Sequence, residues 1–132
     1  MDPRIALAQA SRDSYLAIRR VERQQALIER LVAAHCDRVP LDRLADEIGV
    51  SPRTIARDVD RLRFSGVPVR THPGRGGGVS IPPVLDIAPI AFDLPEIAAL
   101  MSSLTVLGPT VSPSAAAAMA KLTAAIAPDQ TG

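Results

Sequence analysis

The 132-residue sequence contains no Trp, and Tyr15, Phe64 and Phe92 are its only aromatic residues. A core must therefore be built from Ala, Leu, Val and Ile, which suits close-packed helices better than a sheet sandwich. Lysine is nearly missing as well: Lys121 stands alone beside 14 arginines. One cysteine, Cys36, excludes an internal disulfide and fits a reducing cytosol. No apolar run approaches the ~20 residues needed to span a membrane. The first residues, MDPRIALAQASRDSYLAIRR, are interrupted by charge throughout, unlike a signal peptide. The expectation is a cytoplasmic protein with no membrane partner. Its length suits one compact domain, or a small domain with an appendage.

Net charge is only +1, but it is unevenly spread. Up to Leu85, 14 Arg face 7 Asp and 3 Glu, a balance of +4. From Asp86 onward, Lys121 faces Asp86, Asp93, Glu96 and Asp129, a balance of −3. Arginine offers a planar donor fork that suits phosphate oxygens and guanine edges. A solvated charged face is the plainer reading, so composition by itself does not establish nucleic-acid binding.

Periodicity supplies the architecture. RVERQQALIERLVAAH (20–35) places Leu27, Leu31 and Ala34 on one face with Ile28 and Val32 beside it, an amphipathic helix. After a break at CDRVP, Leu41, Leu44, Ala45 and Ile48 follow a helical spacing that Gly49 ends with a left-handed turn position. Ser51 is a good N-cap, with Pro52 at the first helical position. Ile55, Val59 and Leu62 then form a buried stripe, and Gly66 closes the helix. From Val67 the period changes to two. Two short runs, Val67–Thr71 and Val79–Ile81, flank the PGRGGG turn as a β-hairpin, and Pro82-Pro83 closes the unit. Helix, helix, helix and hairpin is the order of a winged helix-turn-helix.

The remainder differs in kind. A helix starting at Asp93 or Leu94 carries Ile97, Leu100, Met101, Leu104 and Leu107, and Gly108-Pro109 breaks it. Ser112 or Ser114 caps a last helix, with Met119, Leu122 and Ile126 on one side. Two helices this apolar need a packing partner: the winged domain, a second copy, or both. The expected fold is thus mainly α with a small hairpin, divided into an extension (1–19), a winged helix-turn-helix (20–83), a linker (84–93) and a helical dimerisation element (94–127).

The run LDRLADEIGVSPRTIARDVDRLRFSGVPV, followed by PGRGGGVSI, resembles the DNA-binding domain of DeoR-like and WYL-domain bacterial transcription regulators. Leu44-Ala45, Val50-Ser51, Arg53-Thr54-Ile55, Arg57-Asp58-Val59, Leu62 and Gly66-Val67-Pro68-Val69 carry the likeness. The segment from Pro83 to Leu107 and the Ala-rich run after it are similar to that family's helical linker. The WYL effector-sensing domain that the resemblance leads one to expect after this linker is not among these residues, which leaves the effector open, and residues 1–19 have no counterpart.

The resemblance implies a sequence-specific duplex-DNA-binding regulator with recognition helix 51–65 in the major groove, acting as a homodimer. Such a helix presents its first turns to base edges. Arg53 and Arg57, one turn apart, are the candidate base readers. Ser51 and Thr54 suit phosphate oxygens at the helix N-terminus. Arg75, at the wing tip, suits a backbone or minor groove, and Arg61 joins the DNA-facing set. Asp58 reads as structural, holding Arg61 or Arg43. Arg19, Arg20 and Arg23 read equally as a basic arm or as the polar face of a helix. The rival is a winged-helix adaptor that docks on another regulator or on transcription machinery. An enzyme is not expected, since no nucleophile–base pairing and no paired carboxylates stand in a defined setting. No metal or cofactor is expected: PGRGGG lacks the context of a P-loop, and His35, Cys36 and His72 lack ligand spacing, His35-Cys36 reading as a half-buried helix end.

Overall fold

The computed structural model describes residues 2–83, 87–108 and 110–128. Part of the expected linker (84–86), and the Pro109 half of the Gly108-Pro109 break, lie outside the described residues. The chain is mainly helical: α1 (Pro3–Ala33), α2 (Leu41–Ile48), α3 (Pro52–Phe64), strands β1 (Arg70–His72) and β2 (Gly78–Ser80), then α4 (Leu94–Leu107) and α5 (Pro113–Ile126). It divides into two compact units: Arg23–Ile87, and Met1–Glu22 with Ala88–Gly132.

In the unit Arg23–Ile87, α1, α2, α3 and β2, with Val39, Val69 and Ile81 outside these elements, build one core of Leu27, Leu31, Val39, Leu44, Ala45, Ile55, Val59, Leu62, Val69, Val79 and Ile81. Leu27 and Leu31 of α1, Leu44 of α2 and Ile55 of α3 are wholly buried. These are the stripes that the helical spacing selects. Val32, read beside the α1 face, is 58% exposed.

Helix ends follow local chemistry. Gly49 takes φ 83° after α2, and its N–H donates to the Ala45 carbonyl at 2.8 Å. The Ser51 hydroxyl accepts from the Thr54 N–H at 3.2 Å, and Pro52 occupies the first position of α3. At the other end, Val67 N–H donates to the Leu62 carbonyl at 3.0 Å, so Val67 finishes the helix instead of opening the strand.

β1 and β2 are antiparallel, with Arg70 opposite Ser80, Thr71 opposite Val79 and His72 opposite Gly78. Val39, inside the break between α1 and α2, joins them: it exchanges backbone hydrogen bonds with Val79 at 2.8 and 2.9 Å. The wing is therefore stitched to the helical core at Val39. Gly78, at φ 140°, lies so close to the Val39 carbonyl that a β-carbon would collide with it.

The helix read over 20–35 begins instead at Pro3, so residues 3–19 continue α1 without interruption. Residues 2–17 are exposed throughout, Ile5, Leu7, Tyr15 and Leu16 among them. At its other end, His35 and Cys36 are exposed and both take positive φ just beyond α1, not the half-buried end expected of them.

In the second unit, Asp93 caps α4 through a reciprocal box. Its carboxylate accepts from Glu96 N–H, and its own N–H donates to the Glu96 carboxylate, each at 2.9 Å. Ser112, with Pro113 next to it, is the cap of α5. The two helices pack together, yet Ile97 is the one buried residue of α4 and α5 has none. Leu94, Leu100, Val106 and Ile126 remain 63%, 40%, 78% and 38% exposed.

Candidate nucleic-acid interface

The alternation of contacts along α3 sorts its residues into two faces. Ile55, Asp58, Val59 and Leu62 point inward. Arg53, Arg57, Asp60, Arg61, Arg63 and Phe64 are exposed. At about 100° per residue, Arg53, Arg57, Asp60 and Phe64 fall within an arc of about 60°. Arg61 lies to one side of that stripe. Among the described residues Arg53 and Arg57 form no ion pair, so both guanidiniums remain available to a partner.

Asp58 is the anchor on the inward side. Wholly buried, it accepts from Arg23 through both carboxylate oxygens, Nε to Oδ2 and Nη2 to Oδ1, the latter at 3.1 Å. Gln24 Nε2 adds a bond at 3.3 Å and Arg61 Nη1 a longer one at 3.5 Å. The hydrogen bond to Asp58 outweighs partial desolvation and raises the Arg23 guanidinium above its ordinary pKa. Asp58 is thus structural, and Arg61 is one of its partners. Arg43 is not, and the principal partner is Arg23. The signal was present: Arg23 precedes Leu27 and Leu31 at intervals of four, on the buried stripe of α1, where an arginine needs a buried acceptor.

Among the candidate DNA-facing residues, Ser51 is exposed and Thr54 half-buried. Their hydroxyl oxygens lie 3.0 Å apart at the start of α3. Arg75 is exposed in the turn between β1 and β2. On β1, His72 Nε2 lies 2.8 Å from the Ser80 hydroxyl, holding the base of the wing. Between the start of α2, α3 and the wing lies a groove of about 590 Å³, lined by Leu41, Asp42, Ala56, Val59 and Asp60 on its helical side. Its charged side chains are carboxylates, so the arginine-rich edge lies beside it rather than within it.

Among the described residues no group of three His, Cys, Asp or Glu side chains is placed to hold a metal ion, and no helix is long and apolar enough to cross a membrane.

Residues 23–79 match the family model described as an HTH domain. The match supports a helix-turn-helix domain of the transcription-regulator type in this segment. The match begins at Arg23, the residue that ties α1 to the third helix, and ends at Val79, the residue that ties the wing to Val39. No solved structure matches the chain. A helix-turn-helix domain supports DNA as a partner.

Proposed function

We propose that this chain is a sequence-specific transcriptional regulator that lays α3 in the major groove of duplex DNA and acts as a homodimer. The observation that carries the reading is the unpaired Arg53–Arg57 edge on a helix whose opposite face is locked into the core. Arg53 and Arg57 supply forks for guanine O6 and N7. The Ser51 hydroxyl and the Arg53 N–H at the start of α3 take a phosphate oxygen. Arg75 reaches the backbone or minor groove from the wing, and Arg61 adds charge beside the groove while bracing Asp58. The pattern Arg53-Thr54-Ile55, Arg57-Asp58-Val59 and Gly66–Val69 supports a DeoR-like, WYL-type regulator.

Dimerisation is supported by the second unit. Helices α4 and α5 carry Glu96 and Lys121 as their only charges, and they leave Leu94, Leu100 and Val106 exposed. A charge-depleted apolar surface is the composition of a homodimer interface. Paired recognition helices about one DNA turn apart call for an inverted repeat.

The test is selection of binding sites from random duplexes, followed by affinity measurements across salt concentrations. An enriched inverted repeat, with binding that weakens as salt rises, is the expected result. Replacing Arg53 or Arg57 by Ala should cost ~1–3 kcal/mol and relax base preference. If both variants bind like the parent, α3 is not the reading element.

A further inference from the structure

Phe64 is 96% exposed, the most exposed large apolar side chain described, although the chain contains only two phenylalanines. A single exposed apolar residue is ordinary on a protein surface. The position of this one is not. It ends the stripe Arg53, Arg57, Asp60, Phe64, which runs straight along the outward face of α3 for about 16 Å at 1.5 Å per residue. The opposite face, from Ile55 to Leu62, is fixed in the core, so these four side chains meet whatever lies against α3.

The chemistry of the stripe distinguishes base edges from phosphates. A face built for the DNA backbone carries cations and hydroxyls along its length. Here a carboxylate occupies the third turn and a phenyl ring the fourth. Asp60 would be repelled by phosphates and gains nothing from sugar. Within the major groove both find complements: cytosine N4 donates to a carboxylate, and thymine offers a C5-methyl to an apolar side chain.

We propose that α3 reads DNA beyond its first two turns, with Phe64 as a specificity-determining residue that packs on the C5-methyl of a thymine. This deepens the DNA-binding reading above and rests on it. Arg53 and Arg57 take guanine near the start of the helix. Phe64 takes thymine at the far end of the half-site, and Asp60 between them favours a cytosine amino group over a phosphate. The exposed ring, with no packing role in the free protein, loses its contact with water on binding.

The test uses the full chain and a duplex selected from random sequence. Each thymine of the site is replaced in turn by deoxyuridine, which deletes the methyl and preserves pairing. One such replacement should weaken binding of the parent about fourfold, the factor expected for a single methyl group removed from water. Phe64→Ala should bind the thymine site more weakly and be indifferent to that same replacement. Phe64→Leu should recover part of the sensitivity. Because Phe64 packs on nothing, its variants should keep the parent's thermal midpoint.

The proposal is overturned if every deoxyuridine duplex binds the parent like the thymine duplex, or if Phe64→Ala retains the methyl sensitivity. It is also overturned if Phe64→Ala changes only the mass of the protein in solution, which would assign the ring to a protein contact. Failure of the underlying reading looks different: no duplex is then enriched, and Arg53→Ala has no effect on DNA at all.

Discussion

Arg23 holds Asp58 in a two-pronged ion pair that joins α1 to α3. Asp58 sits one residue beyond Arg57 on α3, wholly buried, whereas the Arg23 side chain retains 22% exposure. The pair fixes the inward face of α3 against α1 and so fixes where Arg53 and Arg57 point.

Removing one partner of such a pair strands a buried charge. Arg23→Ala should destabilise the domain by about 2–4 kcal/mol in urea unfolding, below the upper range for buried pairs because Gln24 and Arg61 remain. Arg61→Ala should cost no more than ~1 kcal/mol, since its contact is 3.5 Å long and its side chain is 45% exposed. Equal losses in the two variants would show that Asp58 is not held chiefly by α1.

The wing makes a different demand. Gly78 and Gly49 both adopt positive φ, but only Gly78 faces a neighbouring carbonyl, that of Val39. Gly49→Ala should therefore cost about 1–2 kcal/mol from backbone strain. Gly78→Ala adds a collision to that strain, and should lose more in thermal unfolding than Gly49→Ala. The reverse order would mean that the wing is not held through Val39.

Arg75 tests what the wing does. If its guanidinium meets the phosphate backbone, Arg75→Ala should weaken binding by a similar factor on every duplex and reduce the salt slope by about 1. A loss confined to one sequence would move Arg75 to base contact in a groove.

On the surface, Arg30 donates to Glu47 from Nε at 2.7 Å and from Nη2 at 3.3 Å. That hydrogen bonding, ahead of the coulombic attraction, holds the Glu47 carboxyl below its ordinary pKa. A depressed acid stabilises the fold above its unfolded-state pKa, and that stabilisation is lost as pH falls through the folded-state value. The stability gap between the parent and Glu47→Gln should thus be largest near neutral pH and close in acid. Because the pair is solvated, added salt should shrink it. A gap that is constant with pH would rule out the ion pair as its source.

Much of this protein follows from short-range rules acting on the sequence. Ser51-Pro52 starts α3 because a hydroxyl can cap a free N–H and proline needs none. Gly49 ends α2 because it accepts a left-handed backbone. The stripes at Leu27–Leu31 and Ile55–Val59–Leu62 are buried because helical spacing puts them on one side, and the same spacing leaves Arg53 and Arg57 outside. Tertiary structure decided what depends on residues far apart in the chain. Asp58 finds Arg23 rather than Arg43, since the choice of partner belongs to the packing of α1 on α3. Val39 pairs with Val79 because a strand edge accepts whichever backbone the fold brings to it. Residues 3–19 continue α1, although no buried stripe in that stretch announces a helix. Local propensity sets which elements form, and burial selects which charges and backbone groups must meet.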